Sequence, residues 1–104
     1  MEKDEFTITE KKGIGSVTFI ITGRVNTSNA GTLEYKLEKA LNEKQTTIIL
    51  NMSQVVYLSS TGIRVLLKIY KQAKIAGGKF NIESPSENVK NVLGLTALDE
   101  LLLK

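Results

Sequence analysis

The sequence predicts one α/β domain on a mixed, mostly parallel sheet of about four to five strands with about four helices. Three observations carry this. The chain has 104 residues, room for one domain. Short β-branched runs alternate along it with stretches of helical periodicity. At 41% hydrophobic and 24% charged, with one Pro, its composition is that of an ordinary globular protein.

The first elements form a hairpin. Phe6–Thr9 alternates apolar and polar residues, as does the start of Val17–Thr22, so both read as half-buried strands. Gly13 and Gly15 supply the turn, and Gly23 is expected to break the second strand. A helix follows, capped by Thr27 or Ser28. It buries Ala30, Leu33, Leu37, Ala40 and Leu41, leaves Glu34, Lys36, Glu38 and Lys39 outside, and ends at Asn42.

Thr46–Leu50 is short and continuously apolar after its threonines, the pattern of a strand covered on both faces. Gln54–Leu58 then approaches a second helix, capped by Ser59 or Ser60. Its buried stripe is Ile63, Leu66, Leu67, Tyr70 and Ala73, and Gly77-Gly78 stops it. Phe80 and Ile82 mark a last strand. Ser84-Pro85-Ser86-Glu87 reads as a capping box with Pro at the first helical position. The helix behind it carries Val89, Val92 and Leu93 and ends at Gly94. Thr96–Asp99 can cap a short final turn bearing Leu101 and Leu102.

The composition also narrows function. With no Cys and no His, the chain lacks any disulfide or thiolate site, the commonest nucleophile–base pairs and most zinc and haem chemistry. No metal or cofactor is expected. The charged start, Glu2 to Glu5, leads into no apolar run, and no stretch approaches the ~20 apolar residues of a membrane span. The expected location is therefore the cytoplasm, where the glycosylation triplets at Asn26 and Asn51 carry no meaning. The net charge of +3 comes from basic residues scattered along the chain without interleaved aromatics, which argues against nucleic-acid binding. Gly13-Ile14-Gly15 lies between strands and lacks the further glycine of a dinucleotide loop. Gly77-Gly78-Lys79 lacks the spacing of a phosphate loop.

The informative segment is Tyr57-Leu58-Ser59-Ser60-Thr61-Gly62-Ile63, three hydroxyls where a buried strand hands over to a helix. Unpaired amides and the positive end of the helix dipole gather there. One hydroxyl suffices as a cap, and Gly62 costs a helix about 1 kcal/mol relative to Ala. A small residue fits if something must approach the helix start closely. A phosphoryl group on such a serine adds about −1.5 to −2 charge. If Leu58 and Ile63 rim a docking surface, that charge disfavours burial there and makes association switchable.

Leu50–Ile63 resembles the signature of STAS domains, specifically the bacterial anti-sigma-factor antagonists, in which an Asp-Ser-Ser/Thr-Gly-Leu/Ile turn leads from a strand into a helix. Gly23-Arg24-Val25-Asn26 is similar to that family's Gly-x-Leu/Ile-Asp turn, Ala73–Gly78 to its second-helix ending and Leu93–Leu98 to its C-terminal segment. The resemblance spans essentially the whole chain and implies a STAS-like sandwich with a partner-switching role. The unmodified antagonist binds an anti-sigma factor that is also a serine kinase, and the sigma factor is released. Phosphorylation ends the complex, and a metal-dependent serine phosphatase reverses it.

By alignment on Gly62 the resemblance implies phosphorylation at Ser60, with Thr61 and Ser59 as lesser candidates. It implies partner contacts from Asn26, Thr27, Leu58, Ser59, Ser60, Thr61, Gly62, Ile63 and Arg64. Ser59 and Asn26 stand where the family usually has Asp, and Arg64 where a small residue is common. Arg64 follows Ser60 by four residues, on the same helix face, and can pair with a phosphate there. The expected protein is a monomer or weak dimer that binds no nucleic acid or membrane and catalyses no reaction. An enzyme would need Ser60 as nucleophile, and Lys68 lies about two turns away, beyond hydrogen-bond reach. The other reading of the same residues is an unphosphorylated STAS docking subunit of a transport or signalling complex.

Overall fold

The computed structural model describes residues 5–43, 47–95 and Leu102. The elements run β1 (Thr7–Gly13), β2 (Ser16–Val25), α1 (Ala30–Asn42), β3 (Thr47–Leu58), α2 (Ser60–Ile75), β4 (Lys79–Glu83) and α3 (Glu87–Leu95). The four strands form one mixed sheet in the order β1-β2-β3-β4. The hairpin pair β1·β2 is antiparallel, while β2·β3 and β3·β4 are parallel. The expected α/β architecture is therefore found, with three helices among the described residues. The expected final turn falls outside them, apart from Leu102, which is helical and fully buried.

The hairpin turns at Gly15, whose φ of 71° is a left-handed conformation that a residue without Cβ enters freely. β1 continues past Thr9 through Glu10, Lys11 and Lys12, because pairing to β2 outweighs the poor strand propensity of charged residues on a solvent edge. β2 does not break at Gly23. Gly23 takes φ 85° at a register irregularity, and the strand runs on to Val25 with Val17, Phe19, Ile21 and Val25 all buried.

The segments expected as Thr46–Leu50 and a separate approach are one strand, β3, with Thr46 outside the described residues. Its burial alternates. Ile48, Leu50 and Met52 are fully buried and Ile49 only partly, so one face is sealed and the other half-covered. α1 and α2, the crossovers of the two parallel pairs, pack on each other. α1 buries Ala30, Leu33, Leu37 and Ala40 as expected, while Leu41 is only partly buried against the core. α2 is rotated from its expected orientation. Gly62, Val65, Leu66, Ile69 and Ala73 face inward, while Ile63 and Tyr70 are only partly buried against the core and Leu67 is half-exposed.

Neither Thr27 nor Ser28 caps α1. The Oδ1 of Asn26 accepts from the Ser28 amide (3.0 Å), the Ser28 hydroxyl (2.8 Å) and the Asn29 amide (3.1 Å), so an Asx turn leads into the helix and Asn29 occupies the cap position. α2 closes with Gly78 N–H donating to Ala73 O (2.8 Å) and Gly77 N–H to Lys74 O (3.0 Å). This is a Schellman ending with Gly77 at φ 79°. α3 is capped by Ser86 rather than Ser84. Ser86 Oγ accepts from the Val89 amide (3.2 Å), and Pro85 precedes the helix instead of opening it.

β4 pairs with β3 only as far as Asn51. Beyond it the start of α3 takes up the carbonyls of β3. Ser86 N–H donates to Met52 O (3.2 Å), Ser86 Oγ to Val55 O (2.6 Å) and Asn88 Nδ2 to Val56 O (2.8 Å).

Candidate functional site

β2 and β3 are parallel and end side by side, Val25 opposite Leu58. The turn into α1 and the start of α2 therefore meet at the carboxyl ends of two adjacent strands, where open α/β sheets place their working residues. The Ser59 amide donates to Val25 O at 2.9 Å, joining the two strand ends.

Each of the three hydroxyls has a different position. Ser59 is buried and caps α2, its Oγ accepting the Gly62 amide at 3.1 Å. Ser60 is the first helical residue and is exposed. Thr61 is half-buried and joins α2 to the turn before α1 through the Thr27 hydroxyl, with 3.4 Å between hydroxyl oxygens. The first turn of α2 holds no acidic residue. Its amides and dipole are thus left to act without a competing carboxylate from the helix's own first turn.

Gly62 has a packing explanation. A Cβ there would sit 2.8 Å from Val25 Cγ1 and 2.9 Å from Leu58 Cδ1. What approaches the helix start is the protein's own core. Leu58 is 3% exposed and belongs to that core, which corrects its expected place on the rim of a docking surface. Ile63 is half-buried against the same cluster and keeps part of its surface accessible. Asn26 is likewise occupied by its turn. Of the residues expected at an interface, Thr27, Ser60 and Arg64 are exposed, Thr61 and Ile63 partly so, and Leu58, Ser59 and Gly62 are buried.

One pairing at the site was not foreseen in the sequence. Arg24 and Tyr57 are register partners at the ends of β2 and β3, and the Arg24 guanidinium lies 4.5 Å from the centre of the Tyr57 ring. Only the pairing register could have matched them, and that register is shifted twice along β2·β3. Lys68, the cation considered as a base for Ser60, is engaged elsewhere. It pairs with Glu34 and, at 3.3 Å, with Glu38 of α1. Hydrogen bonds from Lys68 to these carboxylates raise its pKa above the ordinary 10.5, so it stays protonated.

Residues 5–104 match the family model of the STAS domain. The chain belongs to the STAS domain family. This STAS domain is 33% identical over 79 residues to a candidate anti-sigma factor antagonist of Thermotoga maritima, a match covering 75% of this chain and 70% of that protein. It is 26% identical over 92 residues to the anti-sigma-B factor antagonist of Bacillus subtilis, covering 88% of this chain and 84% of that protein. Its fold superposes on the anti-sigma factor antagonist SpoIIAA in unphosphorylated form with a TM-score of 0.81 at 19% identity, covering 94% of this chain and 85% of that one. Against the phosphorylated form of SpoIIAA the TM-score is 0.74 at 18% identity, with 94% and 88% covered. Among the described residues, no helix of the STAS domain is long and apolar enough to cross a membrane.

Proposed function

We propose that this STAS domain is a cytoplasmic anti-sigma-factor antagonist controlled by phosphorylation at Ser60. The unmodified form binds an anti-sigma factor that is also a serine kinase, so that the sigma factor is released. The kinase transfers the γ-phosphoryl group of ATP to Ser60 Oγ. An Oγ–P bond forms, the bond to ADP breaks, and the hydroxyl proton leaves to a base on the kinase. A serine phosphatase restores the binding form. The domain is substrate and ligand in this cycle and catalyses none of it.

The observation that carries this reading is the division of labour among the hydroxyls. Ser59 is buried and used as a cap, Thr61 is half-buried and faces Thr27, and Ser60 is the exposed one of the three. A phosphoryl group on Ser60 lies at a helix N-terminus whose own first turn carries no carboxylate, which suits an anion. Arg64, one turn along and exposed, can pair with it. That SpoIIAA, of the same fold, is known in both phosphorylated and unphosphorylated forms supports the reading further.

The test is intact-mass analysis of the protein from its native cells with the modified residue mapped by fragmentation. One phosphoryl group on Ser60, absent in Ser60→Ala, is the expected result. A protein unmodified under every growth condition would instead indicate a constitutive docking subunit of a transport or signalling complex.

A further inference from the structure

α2 buries one side and leaves the other to solvent. At 3.6 residues per turn, Ser60, Arg64, Leu67, Lys71 and Ile75 fall within an arc of about 80° on the outward side. The helix carries four basic residues, Arg64, Lys68, Lys71 and Lys74, and no acidic one. Lys68 is neutralised by Glu34 and Glu38. Arg64 and Lys71 have no carboxylate partner among the described residues. Between these cations lie apolar groups. Ile75 is 87% exposed, and a shallow groove runs along the helix between Arg64, Leu67, Lys68, Lys71, Gln72 and Ile75.

We propose that this face of α2 is a docking surface for an acidic amphipathic helix of a protein partner. Leu67 and Ile75 would receive its apolar side, and Arg64 and Lys71 its flanking carboxylates. The proposal rests on the protein-docking role given above and assigns the partner its chemistry. Charge complementarity selects the occupant, because the exposed stripe offers unpaired cations beside apolar groups. The surface is also continuous with Ser60 at its head. A phosphoryl group there places negative charge where an acidic helix would enter and engages Arg64, so modification repels this partner directly.

The probe is a synthetic amphipathic peptide of about 18 residues, roughly five helical turns, with leucines on one face flanked by glutamates. The control carries lysine in place of glutamate. Titrated into the isotope-labelled full chain, the acidic peptide is expected to shift the amide signals of Arg64, Leu67, Lys71 and Ile75. The Arg64→Glu, Lys71→Glu double variant, which alters only exposed side chains, is expected to weaken binding by about tenfold or more. Salt of about 1 M, where the screening length falls to roughly 3 Å, is expected to release the peptide.

Equal binding of the lysine peptide, shifts centred off this face, or no shift at all overturns the proposal. So does a dimer in sedimentation that Ile75→Glu dissociates, since the face would then be covered by a second copy. Co-sedimentation with phosphatidylglycerol vesicles, lost in the double variant and without peptide binding, would assign the face to lipid and overturn it too. Peptide binding is expected to persist in Ser60→Ala. Failure of the peptide arm therefore removes the docking face and leaves phosphorylation standing, whereas an unphosphorylated protein that binds the peptide removes only the phosphorylation.

Discussion

Ser59 Oγ accepts the Gly62 amide at 3.1 Å while lying 7% exposed beneath the strand ends, so the residue beside the proposed modification site serves the fold. The family's usual Asp at this position would reach the same amide. Its replacement by Ser keeps the cap and removes a negative charge next to Ser60.

Replacing Ser59 by Ala is expected to destabilise the domain by about 1 kcal/mol, the ordinary cost of a lost N-cap. Ser59→Asp is expected to retain or slightly raise stability, since a carboxylate caps as well and sits favourably at the positive end of the dipole. Urea unfolding midpoints of the three proteins check both signs.

Gly62→Ala opposes two effects. Helix propensity favours Ala by about 1 kcal/mol, but the new Cβ meets buried Val25 and Leu58 at under 3 Å. Overpacking a core typically costs about 1–3 kcal/mol, so net destabilisation is expected. A thermal melt above the parent's would show instead that Val25 and Leu58 yield freely.

Asn26→Ala removes the oxygen that organises Ser28 and Asn29 and is expected to cost about 1 kcal/mol. Asn26→Asp, which restores the carboxylate usual in the family, keeps the acceptor and is expected to fall within about 0.5 kcal/mol of the parent. Chemical denaturation of both variants separates the acceptor from the charge.

The Lys68 pKa is raised in the folded state by its hydrogen bonds to Glu34 and Glu38. A raised folded pKa means a contribution fully present below the unfolded value of 10.5 and lost as pH rises through the folded value. Denaturant midpoints measured from neutral to strongly alkaline pH are expected to converge between parent and Lys68→Gln at the alkaline end. The group is exposed, so the difference at neutral pH is expected to be small. A gap that stays constant throughout would assign the effect to packing of the lysine stem.

The element order and the α1 stripe were legible because both rest on local periodicity. So was the Ser59–Gly62 turn, whose residue types signal a strand-to-helix handover. What sequence alone missed depended on neighbours distant along the chain. Gly23 reads as a strand breaker, yet pairing to β3 carries the strand through it as a bulge. Ser84 reads as a cap, but Ser86 is the serine that lies against the β3 carbonyls. Leu58 and Ile63 look alike as apolar residues flanking the hydroxyls. The parallel register opposite Val25 decides that Leu58 points inward, while the phase of α2 leaves Ile63 at the boundary. Arg24 and Tyr57, 33 positions apart, meet only through that register.

The start of α3 along β3 bears on how this domain can associate at all. Past Asn51 the carbonyls of Met52, Val55 and Val56 are taken by Ser86 and Asn88, and the edge strand β4 offers only the five residues Lys79–Glu83 with charges at both ends. The opposite margin, β1, presents Glu10, Lys11 and Lys12. Neither margin is a good template for an incoming strand. Stacking into fibres or borrowing a strand from another chain is thus disfavoured from both sides, which leaves side chains on helices and turns, the proposed site at Ser60 among them, to carry recognition.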